Sequence, residues 1–159
     1  MGHGPKLVYP CGFFDGASTK NIGGIGFCLY LNESHSFDFA MGARLCTNTK
    51  AELVGLWALL LTTQMMGIPT LKVFGDSSVI INWAKGTATL SPPELHYWCK
   101  ETRNLYSHFL ELSFCHIYRE HNQHADRLSK LALSLALGFG SYSEFFDGHL
   151  TSQDTFKLI

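Results

Sequence analysis

Charged residues are scarce in this sequence: they make up 16% of its 159 residues, and 12 basic side chains face 13 acidic ones. The resulting net charge of −1 excludes a polybasic binder whose affinity for nucleic acid comes from a large charge excess. It does not exclude a nucleic-acid enzyme, because catalytic carboxylates offset a basic surface in the same sum. The hydrophobic fraction of 46% is too high for a disordered chain.

Long apolar runs and paired cysteines are also missing. The longest uninterrupted apolar run, Leu56–Leu61, is far shorter than the roughly 18 residues that a membrane-spanning helix needs. The amino terminus has no apolar signal segment. The five cysteines include no Cys-x-x-Cys pair, which fits neither a disulfide framework nor a zinc finger. We therefore expect an intracellular protein, cytoplasmic or nuclear, that is not secreted and contacts no membrane.

Short strands alternate with longer helical patterns, without repeats, so the sequence predicts one α/β domain over residues 1–137. The predicted order is β-β-β-α-β-α-α-β-α, with a mixed five-stranded sheet of three antiparallel and two parallel strands flanked by helices. Its bounds include a strand over 7–14, a loop over 16–24, and helices over 94–109 and 122–137. Residues 138–159, with no evident sheet partner, are predicted to be a C-terminal tail or docking segment. This irregular end and the abrupt amino terminus favour a domain excised from a longer protein.

Four carboxylates each have an ordinary structural explanation. Asp15 suits the start of a turn, and Glu52 completes an S/T-x-x-E capping box with Thr49. Asp76 directly precedes a predicted helix and suits an N-cap. Asp126 falls in the first turn of the last helix, where the helix dipole favours a negative charge.

The joint position of these carboxylates favours a functional explanation. The strands before Asp15 and Asp76 would lie parallel and side by side, at the sheet edge where α/β folds bind ligands. The helices that carry Glu52 and Asp126 could begin at the same point. Converging carboxylates repel one another and raise their pKa values unless cations neutralise them. Hard oxygen ligands of this kind are preferred by Mg²⁺ and Mn²⁺.

Five segments, in this order and in these predicted elements, resemble the motifs of ribonuclease H. They are FFDGAS at 13–18, GGIG at 23–26, CTNTKAEL at 46–53, VFGDS at 73–77 and REHNQHADRL at 119–128. The similarity is greatest to the archaeal-type enzymes and to the ribonuclease H-like domain of plant non-LTR retrotransposons. It implies a ribonuclease H fold, cleavage of the RNA strand of RNA/DNA hybrids, and two Mg²⁺ or Mn²⁺ ions. It also implies a reverse transcriptase domain of the same polyprotein as a partner; the isolated domain is expected to be monomeric.

The resemblance assigns roles to the four carboxylates. Asp15 would bridge both cations, Glu52 and Asp76 would complete the first site, and Asp126 would hold the second. A two-cation hydrolysis of this type gives 5′-phosphate and 3′-hydroxyl ends.

The resemblance also assigns substrate contacts. Specificity for RNA requires contacts to the 2′-hydroxyl, which motif position gives to Asn48 and to the main chain near Gly16. Thr47 and Asn21 match positions that grip a DNA-strand phosphate, although Asn21 also suits a plain turn residue.

The sequence departs from the bacterial and retroviral enzymes just before the last predicted helix. Those proteins have a longer loop there, with a histidine that aids turnover, whereas this chain has only residues 119–125. His121 and Asn122 are candidate auxiliary residues, with an exposed loop histidine as the alternative for His121, and His124 is no secure equivalent. Residues 86–94 are too short and uncharged to form a basic substrate-gripping handle.

These departures keep two other functions open. One is a catalytically weak or inactive ribonuclease H-like module that binds or scaffolds. The other is a metal-dependent 3′ to 5′ exonuclease on single strands.

Overall fold

The computed structural model describes residues 4–44 and 47–158. The strands are β1 (Cys11–Thr19), β2 (Ile22–Tyr30), β3 (His35–Arg44), β4 (Thr70–Gly75), β5 (Glu111–His116), β6 (Phe139–Phe146) and β7 (His149–Lys157). The helices are α1 (Asn48–Met65), α2 (Ser78–Ala84), α3 (His96–Asn104) and α4 (Gln123–Leu131). All seven strands form one sheet in the order β5-β4-β1-β2-β3-β6-β7. β4 pairs in parallel with β1 and β5, and the other neighbours are antiparallel.

The α/β class is confirmed, but the predicted five-stranded sheet is wrong. The element order matches the prediction as far as α4 and then differs, because β6 and β7 follow. β6 pairs with β3 along Phe146 to Gly140, and β7 pairs with β6. The repeated Phe-Phe-Asp-Gly at 145–148 therefore has sheet partners, and its Asp147 and Gly148 form the hairpin turn at positive φ. The boundary proposed at residue 137 stays a prediction.

The predicted loop over 16–24 is also wrong, since β1 and β2 continue through it. They are joined by Lys20 and Asn21, whose φ angles of 49° and 63° are typical of the two-residue hairpin turns that match strand twist. The glycines that suggested a loop instead admit a helix. A Cβ on Gly24 would lie 2.3 Å from the backbone carbonyl oxygen of Ser129 in α4.

Two predicted helices are shorter than expected. A 3₁₀ turn at Pro93–Leu95 precedes α3, which ends at Asn104 rather than near 109. α4 ends at Leu131 and passes through the 3₁₀ turn Ala132–Ser134. The chain leaves both helices early to join the sheet, since the N–H of Leu110 bonds to Pro69 and that of Gly138 bonds to Gly42.

The core lies mainly between the sheet and α1, whose Ala, Val, Leu and Trp side chains are buried nearly all round. α4 covers the other face of the sheet. Gly16 contacts α1 and Gly26 contacts α4. The two glycines belong to neighbouring pairs of the β1–β2 ladder, and neighbouring pairs project to opposite faces. Among the described residues, no helix combines the length and apolarity needed to cross a membrane.

Candidate active site

Three carboxylates meet where the parallel ladder between β1 and β4 ends. The last pair of that ladder is Phe13 with Phe74, so Asp15 lies just past it and Asp76 directly follows β4. Glu52 joins them from α1, and ligand oxygens of the three carboxylates lie within 4.8 Å of one another. We call Asp15, Glu52 and Asp76 the acidic cluster.

Asp15 does not start a turn, and the predicted strand end at this residue is wrong. β1 continues to Thr19, and Asp15 pairs with Gly26 inside the β1–β2 ladder. Directly paired residues project to the same face of a sheet, so Asp15 points to the face that α4 covers. The β1–β4 ladder has ended before Asp15, whereas the β1–β2 ladder continues past it. The space on the β4 side of β1 therefore accommodates Asp76.

Two glycines bring Glu52 to Asp15. A Cβ on Gly16 would lie 2.4 Å from the backbone nitrogen of Glu52, and a Cβ on Gly55 would lie 2.9 Å from the carbonyl oxygen of Asp15. Both contacts are closer than real Cβ contacts allow, so the approach of α1 to β1 requires glycine at each position. Larger residues would push Glu52 away from the cluster.

Other residues perform the capping functions considered for Glu52 and Asp76. α1 is capped by Thr47, whose hydroxyl accepts a hydrogen bond from the N–H of Lys50 at 3.2 Å. α2 is capped by Ser77, whose hydroxyl accepts from the N–H of Ile80 at 3.3 Å. The capping explanations for both carboxylates are therefore wrong.

The acidic cluster is poorly neutralised, with Asp15 buried and Glu52 and Asp76 half-buried. Asp15 is 6% exposed, and Nε of the exposed Arg119 lies 3.9 Å from Oδ2 of Asp76. Burial, and then the negative charge of Asp76, raise the pKa of Asp15 to about 7 although the N–H of Gly16 lowers it. Burial, followed by the charges of Asp15 and Asp76, raises the pKa of Glu52 to about 7.

This donor set fits a hard divalent cation. It offers carboxylate oxygens alone, from three separate elements, at separations that one ion can bridge. Sequence analysis missed two residues that complete the surroundings: Ser77, which hydrogen-bonds Glu52 and so lowers its pKa, and Arg119. The Arg-Glu-His stretch directly after a strand was the available signal for Arg119.

Asp126 is not among the three carboxylates that meet. It lies in the first turn of α4, as predicted, and its Oδ2 is 3.0 Å from Nζ of Lys130. Its charge still helps to raise the pKa of Asp15. The structure thus joins three of the four predicted ligands and leaves the fourth beside them on α4, paired to a lysine.

Asn122 joins α4 to the strand that carries Asp15. The residue is 1% exposed, and its Nδ2 donates a hydrogen bond of 3.0 Å to the carbonyl oxygen of Phe14. The backbone carbonyl oxygen of Asn122 accepts a hydrogen bond of 3.1 Å from the backbone N–H of Asp126.

Among the described residues, no hydrogen bond or ion pair joins His121 or His124 to the acidic cluster. The N–H of His121 bonds to Tyr118 within a 3₁₀ turn. Nε2 of His124 lies 2.8 Å from Oδ1 of Asp38 on β3. His116, which sequence analysis did not select, lies closer, with Nε2 3.2 Å from the carbonyl oxygen of Asp76.

The predicted substrate-contact residues lie around the start of α1 and the β1–β2 turn. Asn48 is the exposed first residue of α1, next to the capping Thr47. Asn21 is exposed in the two-residue turn. The N–H of Gly16 donates to Oδ1 of Asp15 at 2.8 Å.

Known proteins resemble this chain in sequence and in fold. A family model described as reverse transcriptase-like matches residues 13–132. A protein of Arabidopsis thaliana named as a ribonuclease H protein is 30% identical over 65% of this chain, a stretch that covers 17% of that protein. RNase H1 from Halobacterium salinarum superposes with a TM-score of 0.73 at 27% identity, covering 78% of this chain and 96% of that one. LC11-RNase H1, solved with an RNA/DNA hybrid, has a TM-score of 0.71 at 24% identity, covering 77% and 95%.

Proposed function

Because the chain belongs to the reverse transcriptase-like family, as a ribonuclease H-like domain, we propose that it hydrolyses the RNA strand of RNA/DNA hybrids in a cation-dependent reaction. The observation that carries this proposal is the acidic cluster, in which the buried Asp15 and the half-buried Glu52 and Asp76 bring ligand oxygens within 4.8 Å of one another. No fold requirement explains them, since Thr47 and Ser77 cap the adjacent helices.

Asp15, Glu52 and Asp76 would hold one divalent cation, and Asp126 with Asp15 would hold a second, either Mg²⁺ or Mn²⁺. When bound, such a pair of ions activates water and neutralises the leaving oxygen of a phosphodiester. The chain contributes by fixing the oxygens in place: Gly16 orients one oxygen of Asp15, and Asn122 anchors the start of α4. The products would carry 5′-phosphate and 3′-hydroxyl ends.

The substrate contacts follow the same scheme. Asn48 and the main chain near Gly16 would contact 2′-hydroxyl groups of the RNA strand, and Thr47 and Asn21 would contact a phosphate of the DNA strand. Asn21, Thr47 and Asn48 are exposed, and Gly16 contacts α1 within its first turn. The retroelement context, the reverse transcriptase partner, the monomeric state and the intracellular location stay predictions.

The decisive experiment uses an RNA/DNA hybrid labelled inside the RNA strand, incubated with Mg²⁺ or Mn²⁺. We expect cuts in the RNA strand, and loss of cutting in Asp76→Asn while circular dichroism is unchanged. Asp154→Asn, which removes an exposed carboxylate on β7, is the matched control and should cut normally. Absence of cutting at every Mg²⁺ and Mn²⁺ concentration overturns the proposal, and preferential shortening of end-labelled single strands favours the exonuclease instead.

One observation favours the second candidate, a binding module with weak or no turnover. Asp126 is paired with Lys130 at 3.0 Å, so a cation at Asp126 must displace an ammonium group. This module would bind the hybrid with wild-type affinity yet cut slowly. Lys130→Gln distinguishes the two, because it should raise the cutting rate only if the lysine restrains Asp126.

A further inference from the structure

A cleft opens beside the acidic cluster, along the outer side of α4. It has a volume of about 450 Å³ and is lined by both charged and amide side chains. The lining residues are Arg119, Glu120, Gln123, Asp126 and Arg127. We call it the arginine cleft. It shares Asp126 with the proposed second cation site, and Arg119 connects it to Asp76 at 3.9 Å.

Of the two arginines in this cleft, Arg119 lies beside Asp76, whereas Arg127 pairs with no carboxylate among the described residues. The side chain is exposed, and within residues 4–44 and 47–158 no hydrogen bond or ion pair engages it. Gln123 precedes it by one helical turn on α4, so the two side chains lie on the same face of the helix. A planar guanidinium beside an amide donor suits the oxygens of a phosphate.

The charge balance of the cleft depends on Asp126. With Asp126 ionised and free of a cation, two guanidinium groups face two carboxylates, those of Glu120 and Asp126. A divalent cation on Asp126 would leave the two guanidinium groups opposed by Glu120 alone. The cleft would then attract an anion more strongly when the neighbouring site is loaded, although the guanidinium of Arg127 is present in either state.

From these contacts, and resting on the proposed function, we infer that the arginine cleft binds a phosphodiester of the cleaved RNA strand, next to the bond that is cut, through Arg127 and Gln123. The RNA strand must pass over the acidic cluster, and the cleft adjoins that cluster through Asp126 and Arg119. The DNA-strand contacts proposed for Thr47 lie at the start of α1, on the opposite face of the sheet. The two strands would therefore be held from opposite faces.

The first test measures the kinetics of Arg127→Gln on hybrid substrate. We expect KM to rise about tenfold with kcat nearly unchanged, as for the loss of one charge-assisted hydrogen bond. The salt dependence of binding should weaken by a slope of about one, as for one lost phosphate contact. Lys157→Gln removes a cation at the far edge of the sheet, on β7, and should change neither value. Arg127→Lys should restore part of the affinity. An unchanged KM in Arg127→Gln overturns the inference.

The second test locates the phosphate. Neutral methylphosphonate linkages are placed beside the cut site, in the RNA strand of one hybrid and in the DNA strand of another. The RNA-strand linkage should weaken binding to wild type about tenfold and should add no further loss in Arg127→Gln. The assignment is contradicted if the losses of affinity from the RNA-strand linkage and from Arg127→Gln add together. It is also contradicted if the DNA-strand linkage, rather than the RNA-strand linkage, adds no further loss in Arg127→Gln. Equilibrium binding of these hybrids is measurable without cutting, so failure of the nuclease activity is separable from failure of the cleft.

Discussion

The side-chain amide of Asn122 donates a hydrogen bond of 3.0 Å to the carbonyl oxygen of Phe14, one residue before Asp15. This contact fixes the start of α4 against β1. It couples the position of Asp126 to that of the acidic cluster, because the backbone N–H of Asp126 donates to the backbone carbonyl oxygen of Asn122.

Substituting Asn122 should affect both stability and cation use. Asn122→Ala leaves the buried carbonyl oxygen of Phe14 unpaired, so we expect a loss of about 1–3 kcal/mol in the free energy of unfolding, measured with urea. The Mg²⁺ concentration needed for half-maximal activity should also rise, since Asp126 loses its anchor. Asn82→Ala, at an exposed position of α2, is the control. A stability loss without a shifted Mg²⁺ profile would mean that Asn122 acts on the fold alone.

The ionisation of Asp15 should make the metal-free protein less stable as pH rises. A carboxyl group whose pKa rises from 3.8 to about 7 on folding costs nothing below the lower value. It destabilises the fold increasingly as pH increases toward the upper value. Asp15→Asn should therefore raise the free energy of unfolding by about 2–4 kcal/mol near pH 8 and change it little near pH 3.

This effect is measured by urea unfolding in EDTA across that range. Glu52→Gln should behave in the same direction, because its pKa is also raised to about 7. Glu94→Gln, at an exposed position before α3, should leave the pH dependence unchanged. If Asp15→Asn instead lowers the free energy of unfolding by the same amount near pH 3 and near pH 8, ionisation of the buried carboxyl group carries no penalty.

Divalent cations should reverse this destabilisation. Ions that bind the folded state alone stabilise it by about 2.7 kcal/mol at a concentration of 100 times Kd, so Mg²⁺ should raise Tm. The increase should be larger near pH 8 than near pH 6, because the ion must displace protons from Asp15 and Glu52. Calorimetry in two buffers should detect this proton release. Asp76→Asn should abolish both effects, and a wild-type Tm insensitive to Mg²⁺ and Mn²⁺ would exclude a metal site.

The C-terminal hairpin should be required for solubility of the fold. Phe39 lies 6.0 Å from the ring centroids of both Tyr142 on β6 and Phe156 on β7. Removal of residues 138–159 would expose this ring and the open edge of β3, which is a template for strand pairing between molecules. We expect the shortened chain to aggregate on size-exclusion chromatography at concentrations where the full chain elutes as one species. A soluble shortened chain with unchanged Tm would contradict this expectation.

The sequence predicted the parts of the fold that combine local pattern with motif order. The first nine elements and the meeting of Asp15, Glu52 and Asp76 followed from it. The prediction from sequence failed at glycine, because glycine occurs both in loops and where two elements pack closely. Gly23 and Gly24 of β2 suggested a loop, yet Gly24 is needed because α4 passes within contact distance.

Competition between neighbouring residues explains the remaining errors. Asp76 and Ser77 both suit an N-cap, and only the backbone geometry decides that Ser77 takes it. β7 is mostly exposed and β6 is mostly half-buried along both faces, so neither shows the strict alternation that identifies a strand with one buried face. Their pairing depends on the edge of β3, which no local pattern reveals.

The C-terminal hairpin of β6 and β7 lies at the edge of the sheet away from the acidic cluster. β1, which carries Asp15, lies four strand spacings from β7 in the sheet order, and spacings of roughly 4.8 Å place these two strands roughly 19 Å apart. An attachment at β7, whether a surface tether, a fluorophore or a fused protein, would therefore leave the acidic cluster and the proposed substrate contacts clear. This edge is the natural handle for immobilising the domain while its substrate side stays accessible.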